Sequence, residues 1–178
     1  MKKLYLLLSL TLFAAGCTMS NTPTSKVEEL LTKYQNNDSE ITAQLDSVVS
    51  SDEEMSDIQK KEYKKVMEKQ YQNMSYKIKN ETIEKDKAIV EVEIEVYDYA
   101  TSIDKSKAYY EANKEEFTKT EDETKEIKNY VDYKISELKK VSDKKKYTIN
   151  FNLTKKDKDW VVEDLTDADI QKLHGLYK

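Results

Sequence analysis

Asp86-Lys-Ala-Ile-Val-Glu-Val-Glu-Ile-Glu-Val-Tyr-Asp98 decides how the rest of this chain is read. Val90, Val92, Ile94 and Val96 alternate with Glu91, Glu93 and Glu95. A period of two places the valines and isoleucine on one face of a strand and the carboxylates on the other. Upstream, Met74, Tyr76 and Ile78 alternate with Ser75, Lys77 and Lys79, and the polar link at residues 84–87 folds the two runs into an antiparallel hairpin. A second hairpin lies near the C-terminus. Tyr147, Ile149, Phe151 and Leu153 alternate with Thr148, Asn150, Asn152 and Thr154, residues 155–158 form a turn, and the return strand carries Trp160 and Val162.

Outside the hairpins the apolar period changes to that of a helix. Val27, Leu30, Leu31 and Tyr34 follow the capping-box pattern Ser25-Lys-Val-Glu28. Ile41, Leu45, Val48 and Val49 form a shorter stripe. Ser51-Asp-Glu-Glu54 reads as a second capping box, ahead of Met55, Ile58, Tyr63, Val66, Met67 and Tyr71. Between the hairpins, residues 103–117 form a weak helical pattern. Thr120-Glu-Asp-Glu123 opens a stronger one with Ile127, Tyr130, Val131, Ile135, Leu138 and Val141. Thr166-Asp-Ala-Asp169 starts a last short helix containing Ile170 and Leu173, with Gly175 placed to cap it. Separate runs of helices and hairpins predict an α+β fold. One curved antiparallel sheet of about four strands, apolar on one face, packs against helices in a cone-like arrangement.

The composition narrows the chemistry. The chain has 178 residues with one cysteine, one histidine and two glycines, and all 30 basic residues are lysine. One cysteine forms no internal disulfide or thiolate cluster. One histidine supplies no two-histidine metal motif, and two glycines make no phosphate-cradling loop. No metal site and no cofactor is therefore expected. The net charge is −5, which gives no general attraction to nucleic acid. The abundance of Lys, Asn, Tyr, Ile and Glu, with no Arg, suggests an AT-rich genome.

The N-terminus reads as an address. Met1-Lys2-Lys3 is basic, residues 4–15 are mostly apolar, and Gly16-Cys17 follows. This is the plan of a secretory signal, too short in its apolar core to span a membrane comfortably. Ala14, Ala15 and Gly16 immediately before Cys17 resemble the lipobox of bacterial lipoproteins, although Ala14 stands where leucine or a β-branched residue is usual. That resemblance implies diacylglyceryl attachment at Cys17, possession of palmitate-type chains and residence on the outer face of the cell membrane. The alternative is an ordinary signal peptide with an incidental cysteine. The expected organisation is a signal peptide over 1–16, a lipidated Cys17 and tether over 17–25, and one domain over 26–178.

Three segments of the domain resemble small Gram-positive lipoproteins with a nuclear-transport-factor-two-like (cystatin-like) domain of unknown function. They are the central strand at 86–98, the hairpin Thr154-Lys-Lys-Asp-Lys-Asp-Trp-Val-Val162, and the C-terminal stretch Asp169-Ile-Gln-Lys-Leu-His-Gly-Leu176. The resemblance implies a curved sheet around helices, often enclosing a pocket, and brings no agreed activity with it. Four strands are fewer than a full cone has.

The inward positions are apolar apart from Tyr147, and they offer no pair of titratable groups for acid–base catalysis. Glu91, Glu93 and Glu95 read as a solvated row facing lysines across the hairpin. His174, in the last helical turn, reads as a cation suited to the helix dipole. Tyr97, Asp98, Tyr99 and Tyr147 form the candidate ligand site, because tyrosine offers an apolar face and a hydroxyl. The expectation is a lipid-anchored, non-catalytic binding module whose partner is an envelope protein, a peptide or a small ligand. A ligand carrier using the cone pocket is the alternative, and a weak isomerase is a third reading.

Overall fold

The computed structural model describes residues 21–117 and 129–178. Three helices come first: α1 (Pro23–Gln35), α2 (Ser39–Ser50) and α3 (Asp57–Gln72). The strands β1 (Ser75–Glu84) and β2 (Lys87–Tyr97) follow, then α4 (Tyr99–Ala112), a short 3₁₀ turn, and α5 (Tyr130–Lys140). The chain closes with β3 (Lys144–Lys156), β4 (Asp159–Val162) and α6 (Asp167–Leu173). The fold is α+β, with an open four-stranded sheet in the order β1-β2-β3-β4 and every neighbour antiparallel.

Register follows from the two apolar faces. Val90 lies opposite Phe151, Val92 opposite Ile149, and Ile94 opposite Tyr147. One-residue slippage would turn each of these toward water, so burial fixes the pairing. Ala88, Val90, Val92, Ile94 and Val96 on β2, with Tyr147, Ile149, Phe151 and Leu153 on β3, are all buried. The helices cover this face with Val27 and Leu31 of α1, Met67 and Tyr71 of α3, Ile135 and Leu138 of α5 and Leu173 of α6. Several of these side chains have no exposed surface, and each contributes roughly 1.5–3 kcal/mol by leaving water. The concave side of the sheet is therefore filled with side chains. On the opposite face Glu93 sits between Lys79 at 3.7 Å and Lys146 at 3.4 Å.

Several helix starts differ from the sequence expectation. α1 begins at Pro23, inside the segment read as tether as far as Ser25. Thr22 is its N-cap, accepting a hydrogen bond from Ser25 N–H, and Pro23 fits the first turn because its missing donor has no partner there. Ser25 thus completes the cap that it was expected to begin. α3 is capped by Ser56 with Gln59, not by Ser51. Residues 51–56 instead turn the chain, with Asp52 accepting from Glu54 and Met55 N–H. α4 begins at Tyr99, four residues before the expected Ile103, because Asp98 accepts from Thr101 N–H at 3.1 Å. The Thr120–Glu123 box and Ile127 lie outside the described residues, as do Cys17 and the signal segment.

The sheet has two distinct ends. At the turn end, Lys155 N–H donates to Asp86 O at 2.8 Å and ties the two hairpin turns together. The Asn21 side chain donates to Lys158 O at 2.6 Å and to Asp159 Oδ1 at 2.9 Å. The N-terminal side of α1 is thereby fixed to the β3–β4 turn. At the helix end, Tyr97 lies opposite Lys144, and the chain passes into α4 and out of α5. Ten residues separate Lys87 from Tyr97, so the two ends are about 33 Å apart.

Candidate functional site

The helix end is built around a glutamine. Gln70 of α3 has no exposed surface. Its Oε1 accepts from Tyr97 N–H at 2.9 Å, and its Nε2 donates to Tyr97 O at 3.0 Å and to His174 O at 2.9 Å. One side chain thus serves the end of β2 and the end of α6. Gly175 completes the joint. It holds φ at +69°, which suits glycine, and its carbonyl accepts from Ala100 N–H at 2.8 Å. A Cβ at this position would overlap Tyr97 O and Gln70 Nε2.

Of the four tyrosine and aspartate candidates, Tyr97 and Tyr99 come together with their rings stacked at 6.0 Å, and Asp98 and Tyr147 are engaged elsewhere. Tyr97 takes an outward register position, but its ring packs partly against the core, 5.3 Å from Lys69 Nζ and 5.5 Å from Lys144 Nζ. Asp98 is occupied as the cap of α4, with Oδ2 accepting from the Thr101 hydroxyl at 2.8 Å. Tyr99 is buried, its hydroxyl donating to Val66 O at 3.2 Å, and burial pushes its pKa up. Tyr147 lies on the inner face, where its hydroxyl donates to Tyr177 O at 2.7 Å. Tyr97 and Tyr147 therefore take register positions on opposite faces of the sheet.

His174 differs from the expected surface cation. Its Nε2 is 2.9 Å from the Tyr71 hydroxyl, and burial lowers its pKa to about 4. It is neutral at physiological pH and gives the helix dipole no charge. Burial likewise pushes the Tyr71 hydroxyl up, and Tyr34 packs edge-on to Tyr71 at 5.1 Å. Strong perturbation here comes from packing within the core.

Three open clefts flank this framework. One of about 220 Å³ lies beside Asp98 between the start of α4 and the end of α5, lined by Thr101, Lys105, Tyr133, Glu137, Lys140 and Asp143. A second, of about 250 Å³, lies at the turn end beside Lys87, Ile89 and Asn152. The third, about 410 Å³, separates α1 and α2 from the segment after β4. The lining of the first is mainly polar and suits hydrogen bonding, that of the second is mainly apolar, and that of the third is mixed. Among the described residues, no group of three His, Cys, Asp or Glu side chains is placed to hold a metal ion. The sequence reading named Asp98 in the first cleft but missed Lys105, Glu137, Lys140 and Asp143. Their charges show no periodicity that separates them from the solvated faces of α4 and α5.

No protein-family model matches the chain, and no curated protein matches it. A solved structure from Bacillus subtilis subsp. subtilis str. 168, described as a "putative lipoprotein (ycdA)", is similar over 84% of this chain and 46% of that chain. The sequence identity is 21% and the TM-score 0.40. The present chain thus spans less than half the length of that protein, and at such a TM-score the likeness carries no argument about fold or activity. Among the described residues, no helix is long and apolar enough to cross a membrane.

Proposed function

We propose that this chain is a lipid-anchored extracytoplasmic lipoprotein whose domain acts as a non-catalytic binding module at the membrane surface. Ala14-Ala15-Gly16-Cys17, following a basic and then an apolar segment, carries the reading. Two acyl chains on Cys17 would give stable membrane residence, where one gives only marginal binding. The finer resemblance to a nuclear-transport-factor-two-like domain belongs to the same proposal, supported by the sheet packed on helices.

Mass spectrometry of the mature N-terminus tests the anchor. A diacylglyceryl group on Cys17 is expected, and Cys17→Ala should release the protein from the membrane fraction. An unmodified cysteine in the secreted protein overturns the reading.

The packed concave face directs the small-ligand alternative away from the cone interior. The cleft beside Asp98 favours a polar ligand held at the rim. Titration of chemical shifts with candidate ligands would check it: perturbations confined to Thr101, Lys105 and Lys140 support this reading, and perturbations elsewhere remove it.

A further inference from the structure

The N-terminal joint has a geometric consequence. Asn21 is bonded to the β3–β4 turn and lies four residues after Cys17. Four residues reach at most about 14 Å even when fully extended. If Cys17 is embedded through its lipid, the turn end of the sheet is therefore held against the bilayer surface.

That end has suitable chemistry. Lys85 lies in the first turn and Lys87 starts β2, while Lys155 and Lys156 end β3 and Lys158 lies in the second turn. None of the five makes an ion pair among the described residues, although Lys155 lies 5.7 Å from the Trp160 ring. Five carboxylates stand among them: Glu84, Asp86, Asp157, Asp159 and Glu163, which lines the cleft beside Lys87 and Ile89. The local balance is zero in a chain whose net charge is −5. Lysine stems also reach farther than aspartate side chains and can extend to headgroups.

Three of the five exposed large apolar side chains among the described residues lie at this end, and the other two, Val48 and Ile58, lie on α2 and α3. Ile83, Ile89 and Val161 are 50%, 46% and 39% exposed, and all three lie within three residues of a hairpin turn. Register places Ile89 and Val161 on the outer face, where Thr154 lies opposite both Lys87 and Val161. Lysines around partly exposed aliphatic groups are an arrangement suited to an anionic lipid surface.

We propose that the turn end of the sheet, with Ile89 and Val161, docks on the anionic lipid surface in which Cys17 is anchored, and that the helix end faces outward. The inference rests on the lipoprotein reading and adds an orientation to it. Tyr97, Lys69, Lys144 and the Asp98 cleft then lie at the end available to a partner.

The test uses the full lipidated protein in vesicles of phosphatidylglycerol mixed with phosphatidylcholine. Single variants Lys158→Cys, Ile89→Cys and Lys140→Cys carry a fluorophore, and the lipids carry a headgroup quencher. Quenching several-fold stronger at positions 158 and 89 than at 140 is expected. Combined Lys85→Glu, Lys87→Glu and Lys156→Glu, made in each labelled variant, should weaken quenching at 158 and 89 roughly twofold or more while the thermal unfolding transition persists. Mass spectrometry on the same sample reports acylation separately. Equal quenching at both ends with Cys17 acylated overturns the orientation alone. An unacylated Cys17 overturns both readings. Quenching at 158 and 89 that the charge reversal leaves unchanged, or that is equal in pure phosphatidylcholine, overturns the role of anionic lipid.

Discussion

Gln70 grips Tyr97 by both of its backbone polar groups, accepting from its N–H at 2.9 Å and donating to its carbonyl at 3.0 Å. The side chain therefore acts as a short piece of sheet at the last residue of β2, beyond the pairing with β1, which ends at Glu95. Its second donor bond, to His174 O at 2.9 Å, carries the same junction to the C-terminal helix. Three chain segments distant in sequence meet on one amide.

Replacing this amide should be costly. Gln70→Leu retains much of the volume but leaves Tyr97 N–H, Tyr97 O and His174 O without that partner in a buried setting. Each unsatisfied group costs about 1–3 kcal/mol, and partial hydration lowers the sum, so a loss of roughly 3 kcal/mol is expected. Gln70→Glu should also destabilise at neutral pH, because a carboxylate would face two carbonyl oxygens. Urea unfolding should show a lower midpoint with an unchanged slope. A midpoint shift within error for both variants would remove Gln70 from this role.

Gly175→Ala tests the same joint from the other side. The new methyl would meet Tyr97 O and Gln70 Nε2, and φ at +69° is unfavourable for alanine. A loss of about 2–4 kcal/mol is expected from clash and strain together. Because both substitutions disturb one contact, Gln70→Leu combined with Gly175→Ala should lose less than the sum of the single effects. Additive losses in a double-mutant cycle would show that the two positions act separately.

Much of this fold is legible in the sequence, because burial on one face leaves a period. Val90 to Val96 and Tyr147 to Leu153 show period two, and their observed pairing follows from the need to bury both faces. Gly175 is also legible as a helix cap, since positive φ selects glycine. Helix starts are less so. Ser25 and Thr22 both fit an N-cap, and Ser51 competes with Ser56; only the packing of the following apolar stripe decides between them. The helix-end joint is not legible at all. Gln70 is a polar residue within a charged helix, and its partners lie 27 and 104 positions away. Tyr97 and Tyr147 looked like neighbours because their strands pair, yet parity gives them register positions on opposite faces.

The carboxylate row on the outer face should contribute little to stability. Glu93 is partly exposed, and hydrogen bonding from Lys146 with the nearby Lys79 charge holds its pKa below the usual value. Water and salt screen such pairs. Glu93→Gln is expected to leave the denaturation midpoint unchanged within error at neutral pH. Chemical denaturation in low and high salt checks this, and a clear fall in the midpoint would give the row a structural role that its exposure does not suggest.

His174 should make the domain sensitive to mild acid. Its folded pKa is about 4, against 6.5 for an unperturbed imidazole, because burial disfavours the charged ring. Between those values the unfolded chain binds the proton more readily than the folded one, so protonation draws the equilibrium toward unfolding. The contribution is fully present above about pH 6.5 and is lost as pH falls toward 4. The shift corresponds to a loss on the order of 3 kcal/mol across that window. His174→Gln keeps an acceptor for the Tyr71 hydroxyl but cannot titrate. Its stability should start lower than wild type at pH 7 and fall less steeply between 6.5 and 4. Parallel pH profiles for the two proteins would show that His174 reaches water freely in the folded state.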